Sequence, residues 1–399
     1  MDTASFVNPS GRLVFRGRTA HFVPNDLPQT LTFSSRVINL LSKADRVIGE
    51  LNGISGHIDN PHLITRLFTR KEAVMSSRIE GTQTNFRDLL IYEFRQKLLF
   101  EADTDHTPRS THDSAASDAR EVMNYVFALD EGLNKLQTFP ISLRLIKDLH
   151  RRLLSGVRGG QANPGEFRHT TVWIGHPGST IDEARFVPPP SDVLLDVLDT
   201  FERSIYRNDE LPPLIKIAML HQYFETIHPF LDGNGRIGRL LISLLMQSNG
   251  LLSQPLLYMS GYFESHREQY YDLLLDVSKT SNWMLWLEFF LTGVEYQGRD
   301  AIERARRLDT LRRTYHEMFD RPRTPAGLDR TIDDLFATPI INAQSVMAAR
   351  NITWPMASEY IRRLVDAGIL EPLDPSRRRY RLFVATGIME AVEAANSLS

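Results

Sequence analysis

At 399 residues, with 42% hydrophobic and 24% charged residues and a net charge of −3, the chain has an ordinary globular composition and room for two or three domains. So small a net charge gives no ground for an obligatory nucleic-acid or membrane partner. The lack of cysteine excludes disulfides, thiolate zinc sites and thiol catalysis. The stretch MDTASFVNPSGRLVFRGR has no apolar h-region, and LLISLLM is far shorter than the roughly 20 residues of a membrane span. A cytoplasmic protein that does not use a membrane is therefore expected, and no repeat at solenoid periods contradicts a globular one.

The first 35 residues are rich in Pro, Gly and Ser and read as irregular. RVINLLSKADRVIGELNGI and LITRLFTRKEAVMSSRIEG carry apolar residues at helical spacing, with Gly81 placed to stop the second. NFRDLLIYEFRQKLL predicts a further helix, and the polar run from Glu101 to Ser117 a loop or linker. Helices resume through EVMNYVFALDEGLNKL and SLRLIKDLHRRLL. TTVWIG and ARFVP are then short β-prone runs separated by turn residues, which predicts a β-hairpin. DVLLDVLDTFERSI, PLIKIAMLHQYFETI, RIGRLLISLLMQSNG, REQYYDLLLDVSK and NWMLWLEFFLTGVEYQG return to helical spacing. Beyond a basic-rich helix over 301–323, NAQSVMAARN and WPMASEYIRRLVDAG read as helix–turn–helix, with Thr353 as N-cap, Pro355 in the first turn and Gly368 as the stop. ILEPL and RYRLFV follow as a wing, completing a winged-helix pattern.

Residues 228–239, HPFLDGNGRIGR, concentrate the chemistry. A turn between two helices accounts for Gly and Asn at positive φ, but not for two arginines beside an apolar helix. Gly233, Asn234 and Gly235 let successive N–H groups face one concavity at a helix N-terminus, which is an anion site, with phosphate the usual occupant. Arg236 and Arg239 stand three apart on nearly one face and reach different phosphates. Asp232 beside phosphates calls for a bridging Mg²⁺. His228 has the side chain suited to take a proton near neutral pH. Together they suit transfer of a group from a nucleotide to a hydroxyl.

HPFLDGNGRIGR resembles the complete signature of the Fic domain, H-x-F-x-[D/E]-G-N-G-R-x-x-R. The resemblance covers roughly residues 60–300. It implies a mainly helical fold with a β-hairpin flap, and AMPylation: AMP passes from ATP to a Ser, Thr or Tyr hydroxyl of a protein. It further implies His228 as general base and Asp232 as Mg²⁺ ligand. Gly233, Asn234 and Gly235 would be the anion cradle, Arg236 the α/β-phosphate contact, Arg239 the γ-phosphate contact, and Phe230 an anchor under the loop.

Beside that signature, SSRIEG over 76–81 resembles the family's inhibitory motif [S/T]-x-x-x-E-[G/N], through Ser76, Glu80 and Gly81. A bidentate Glu80–Arg239 pair would occupy the arginine meant for the γ-phosphate. The resemblance also makes 170–188 the flap, holding a target segment by β-augmentation. Tyr271 is the choice for a base contact, with His266 near the same pocket, whereas His150 and His221 read as packing or surface residues.

The expected domains are an N-terminal helical regulatory domain over 1–115, a catalytic domain over 116–300, and a linker helix with winged helix over 301–399. From Asp320 onward, ten Arg and no Lys balance ten acids. Packing or protein interaction is therefore favoured over DNA binding there, although RRRYR and IRR are locally basic. A homodimer would be one way of holding or releasing the inhibitory helix. The rival functions are transfer of another phosphate-containing group, removal of AMP with Glu80 positioning water, and a DNA-binding regulator that uses the core as a nucleotide sensor.

Overall fold

The computed structural model describes residues 1–57, 61–101, 114–157, 163–176, 178–320, 325–376 and 381–394. It is mainly helical. Two strands, β1 (Gly11–Arg16) and β2 (Thr19–Pro24), precede α1 (Ser35–His57), α2 (Pro61–Ile79), α3 (Phe86–Glu101), α4 (Ser114–Lys135) and α5 (Leu143–Leu153). Then come α6 (Leu194–Tyr206), α7 (Pro213–Ile227), α8 (Asn234–Ser248), α9 (Ser260–Ser265), α10 (Arg267–Thr280) and the long α11 (Trp283–Glu317). The chain closes with α12 (Ala326–Ala337), β3 (Ile340–Ile341), α13 (Ala343–Arg350), α14 (Trp354–Asp366), β4 (Glu371–Pro372), β5 (Phe383–Val384) and α15 (Thr386–Glu393). No described helix is long and apolar enough to cross a membrane.

The fold divides into two compact units. One comprises Met1–Gly49, Met75–Thr82 and Asn124–Gly298, the other Glu50–Val74, Gln83–Met123 and Arg299–Ser399.

The first unit is built on α7 and α8. Both are buried nearly all round, the mark of central helices rather than of amphipathic surface ones. α6 and α10 pack on α7, and α5 on α8. LLISLLM supplies residues 240–246 of α8, all of them buried. At the base of α7, Trp286 is fully buried and its indole N–H donates to the Ala218 carbonyl at 2.9 Å. Its ring lies among those of His221, Phe263, Tyr270, Phe289 and Phe290.

The N-terminal residues differ from the irregular segment expected. β1 and β2 form an antiparallel hairpin, with Arg16 opposite Thr19 and Gly17 at φ 61°, the positive angle that a two-residue hairpin loop demands. The β-prone residues of GRLVFR and TAHFVP flank the two-residue turn Gly17–Arg18, a hairpin signal that the surrounding turn residues hid. The hairpin also supports the flap: Phe22 donates its N–H to the Val187 carbonyl at 2.9 Å, and His21 Nδ1 stands 2.9 Å from the Pro188 carbonyl.

The flap itself is slighter than a two-stranded hairpin. A single antiparallel bridge, Ile174 with Phe186, joins its two runs. Between them a short 3-10 turn at Ile181–Glu183 is closed by Thr180 and Glu183. Pro188, Pro189 and Pro190 have no N–H to extend the ladder.

In the second unit α13 packs on α14, and β3, β5 and β4 form a small antiparallel sheet in that order. Asn342 caps α13 by accepting from Ser345 N at 2.7 Å. Thr353 takes the N-cap position of α14 without a side-chain bond, and Gly368 ends that region at φ 72°. Most of the loop expected over 101–117 and most of the basic wing RRRYR lie outside the described residues.

Because the Trp286 ring is enclosed by aromatic neighbours and its N–H is satisfied, Trp286→Ala should lower unfolding stability by about 3–5 kcal/mol. Urea denaturation followed by circular dichroism measures this.

Candidate active site

The site is assembled where α7 stops and α8 starts. α7 ends because His228 adopts a left-handed conformation (φ 48°, ψ 62°) that no helix can continue. Five residues later Gly233, at φ 78°, is the N-cap of α8. The intervening loop is tied to itself by one side chain. Asn234 accepts the Phe230 N–H at 2.8 Å and donates to the Phe230 carbonyl at 2.9 Å. Phe230 is fully buried and stacks on His150, with ring centroids 3.7 Å apart and planes at 6°.

His150 is a second clamp. Gly165 N–H donates to its Nδ1 at 2.8 Å, so Nε2 carries the proton and donates to the Asp232 carbonyl at 3.0 Å. Burial depresses its pKa to about 4, keeping it in this neutral form. His221 likewise donates from Nδ1 to the Gly238 carbonyl at 3.1 Å and accepts from the Tyr270 hydroxyl at 2.8 Å. Both histidines therefore serve packing.

The N–H groups of the first turn of α8 have no intrahelical acceptor. Over them lies a carboxylate from another helix. A methyl group added at Gly235 would collide with Glu80 Oε1 and would stand 2.9 Å from Arg239 Nη1. Glu80 Oε1 accepts from Arg239 Nη2 at 2.7 Å. Ser76, one turn earlier on α2, adds two acceptors: its hydroxyl accepts from Nε at 2.9 Å and its carbonyl from Nη2 at 2.9 Å, while Nη1 is buried without a hydrogen-bond partner. The bidentate Glu80–Arg239 pair expected from sequence is thus a single contact through Nη2, with Nε on Ser76 and Nη1 unpartnered. Gly81 follows at φ 95° and ends the helix.

Charge explains the rest. Arg239 is 1% exposed. Burial pulls its pKa down, but the Glu80 carboxylate outweighs that and the net shift is upward. For Glu80 burial pushes upward, and Arg239 reverses it to a net lowering. The Glu80 side chain stays one-third exposed, so this lock is open to solvent on one side. Burial depresses His228 to about 4, and Arg168 adds to that. The imidazole is therefore held well below neutrality rather than poised at it, and is in its neutral form throughout the physiological range. Asp232 is half exposed; its Oδ1 accepts from Gly233 N–H at 2.6 Å and lies 3.7 Å from Arg236 Nη2.

Tyr271 is within electrostatic reach of Glu80 and Arg239, and Arg267 lies 5.5 Å from its ring centroid. His266 is turned to Tyr262, with ring centroids 4.3 Å apart.

Two site residues have no counterpart in the sequence reading. Arg168 reaches the His228 carbonyl at 2.8 Å from a segment sixty residues earlier. Glu225, one turn before His228, has a buried Oε1 without a hydrogen-bond partner, and burial raises its carboxyl pKa to about 7. Only the spacing of Glu225 on the helix leading into HPF hinted at its place.

Known proteins resemble this chain in sequence and in fold. The family model described as Fic/DOC family N-terminal matches residues 38–134, and the one described as Fic/DOC family matches 140–246. A probable protein adenylyltransferase of Aquifex aeolicus is 34% identical over 98 residues, covering 25% of this chain and 31% of its own. The protein adenylyltransferase Fic of Drosophila grimshawi is 34% identical over 145 residues, covering 35% of this chain and 26% of its own. The chain thus spans about a third or less of each of these relatives. A solved Fic family protein from Desulfovibrio desulfuricans superimposes with a TM-score of 0.53 at 19% identity, over 90% of this chain and 98% of that one, which shows a shared fold.

Two measurements probe the site directly. Asn234→Ala leaves both backbone groups of Phe230 buried and unpaired, and should cost about 2–4 kcal/mol of stability by urea denaturation. Glu80, whose folded pKa is lowered, contributes its ion pair fully above the ordinary value of 4.5 and loses it as pH falls through the lower one. Carboxyl NMR of Glu80 should therefore show a midpoint below 4.5; one at or above 4.5 would contradict the pair.

Proposed function

The chain belongs to the Fic/DOC family, and on that premise we propose that it is a protein adenylyltransferase restrained by its own Glu80. One observation carries the proposal: beside His228, a carboxylate rests on Arg239 at the N-terminus of a buried helix. Glu80 acts as the stand-in for an anionic group of a nucleotide. The buried guanidinium that holds a carboxylate there also suits a phosphate, to which the first-turn amides of α8 would add their own donors.

In the reaction proposed, ATP lays its phosphates along α8 with Arg236 and Arg239, and Tyr271 contacts the base. A Ser, Thr or Tyr hydroxyl of a target approaches His228. The neutral imidazole takes the hydroxyl proton as the oxygen attacks the α-phosphorus. The new O–P bond forms as the bond to the β-phosphate oxygen breaks, and pyrophosphate leaves. The bound triphosphate brings negative charge next to His228, which raises the imidazole's proton affinity when it is needed.

The residues present fit Mg²⁺ arriving with the nucleotide. Asp232 supplies one half-exposed carboxylate, and no described group of three His, Cys, Asp or Glu could cage a resident ion. Held by Asp232 together with the nucleotide, such an ion would offset the polyphosphate charge.

Glu80 blocks this cycle by holding the arginine that the terminal phosphate requires. The flap over 170–188 is the proposed dock for the target. Its run at 171–173 has no ladder partner among the described residues, and Trp173 is exposed there. In the proposed division 1–115 regulates, 116–300 catalyses and 301–399 serves interaction. The last assignment draws on α14, where Arg362 pairs with Glu359 and Asp366, and Arg363 lies over Phe319.

Losing one charge-assisted hydrogen bond corresponds to about 1.5–3 kcal/mol, so Glu80→Gly should raise AMP incorporation from labelled ATP about 10- to 100-fold. His228→Ala in that background should abolish incorporation. Intact-mass spectrometry reads the adduct; a product carrying any group other than AMP, or Glu80→Gly with unchanged rate despite normal ATP binding, would refute the proposal.

A further inference from the structure

Arg168 is 2% exposed, and among the described residues no carboxylate neutralises it. A buried guanidinium without a counter-ion is costly, and burial has pulled its pKa down to about 10. Its donors go instead to four carbonyl oxygens. Nε reaches His228 at 2.8 Å and Nη1 reaches Thr170 at 3.2 Å, while Nη2 reaches Pro189 at 2.7 Å and Ile227 at 3.3 Å. The Arg168 backbone N–H adds a fifth bond, to the Pro229 carbonyl at 2.9 Å.

These acceptors form two groups. Ile227, His228 and Pro229 are the end of α7 and the left-handed corner that follows it. Thr170 and Pro189 bracket the two ends of the flap. A left-handed conformation in a residue other than glycine persists only where its surroundings over-determine it. Here the bonds to the carbonyls on either side and at His228 itself fix the peptide planes through which its side chain is aimed. A planar fork with donors at set angles can do this, whereas an ammonium group cannot.

We infer that Arg168 is a positioning residue: it sets the direction of the His228 imidazole and ties that direction to the flap proposed to dock the target. The inference rests on the proposed role of His228 as base. Arg168 also faces the imidazole as a positive charge, together with Glu80 and Asp232 and the backbone of Glu225.

Two variants separate aim from charge. Arg168→Lys keeps the charge and loses the fork; Arg168→Met loses both. In a Glu80→Gly background, both should cut kcat for AMP transfer about 100-fold, the scale of a misplacement of about 1 Å, with the Kd for ATP unchanged. In an NMR titration of the His228 ring, Arg168→Met should raise the pKa by about one unit and Arg168→Lys should leave it in place, while its ring shifts change in both. Melting curves confirm that each variant is folded; if Arg168→Met is not, Arg168→Lys alone carries the decision. Transfer within threefold of the parent in folded Arg168→Lys, or unaltered His228 ring shifts in it, would overturn the inference. The titration needs no turnover. Full activity in His228→Ala would defeat the assignment of the base, and the ring shifts would still judge whether Arg168 sets the imidazole.

Discussion

A helix buried on every side cannot leave the N–H groups of its first turn without an acceptor, and α8 is such a helix. Everything around its start answers that constraint. The Asn234 side chain is already committed to Phe230 and does not cap the turn, so the amides remain directed at the space above Gly235. That space must hold an anion or water. Glu80, delivered by the end of α2, lies against Gly235 beside that space and is kept there by Arg239. Under the function proposed, the protein's own carboxylate and a phosphate of the nucleotide would be alternatives at this place.

The surrounding ionisable groups are biased by burial more than by pairing. His228 and Glu225 lie one turn apart on the chain, and desolvation moves them in opposite directions, each toward its neutral form. Beside Arg239, Glu80 is therefore the carboxylate held ionised, while burial weakens the charge of Glu225. A polyphosphate entering there meets a guanidinium and oriented amides, with few carboxylates to repel it. The same desolvation makes the left-handed His228 dependent on Arg168, since a charge-neutral ring has no ion pair to hold it.

The candidate site was legible because its residues are contiguous: twelve positions carry the cap, the loop clamp and both arginines, and the spacing of Ser76 and Glu80 places them one above the other on a helix. What escaped was non-local or carried by backbone. Arg168 acts on carbonyl oxygens, which every residue possesses, so no sequence pattern marks its partners. The role of Asn234 was assigned to its N–H, whereas its side chain is the part that is bonded. That Glu80 meets Arg239 through one contact, with the Ser76 hydroxyl on Nε and Nη1 unpartnered, is a matter of rotamer and not of spacing. In the fold, long helical periodicity stood out clearly, while the hairpin of β1 and β2 was obscured by turn-forming neighbours. The flap was drawn too regular, because three successive prolines end its pairing.

Gly235 bears a double restriction. Its missing side chain makes room for Glu80, and in the reaction proposed the same room would admit the triphosphate. Alanine there would then crowd both occupants. Selection acting on either state alone would be enough to keep the position bare, so a glycine in this place does not reveal whether a given relative possesses the restraint.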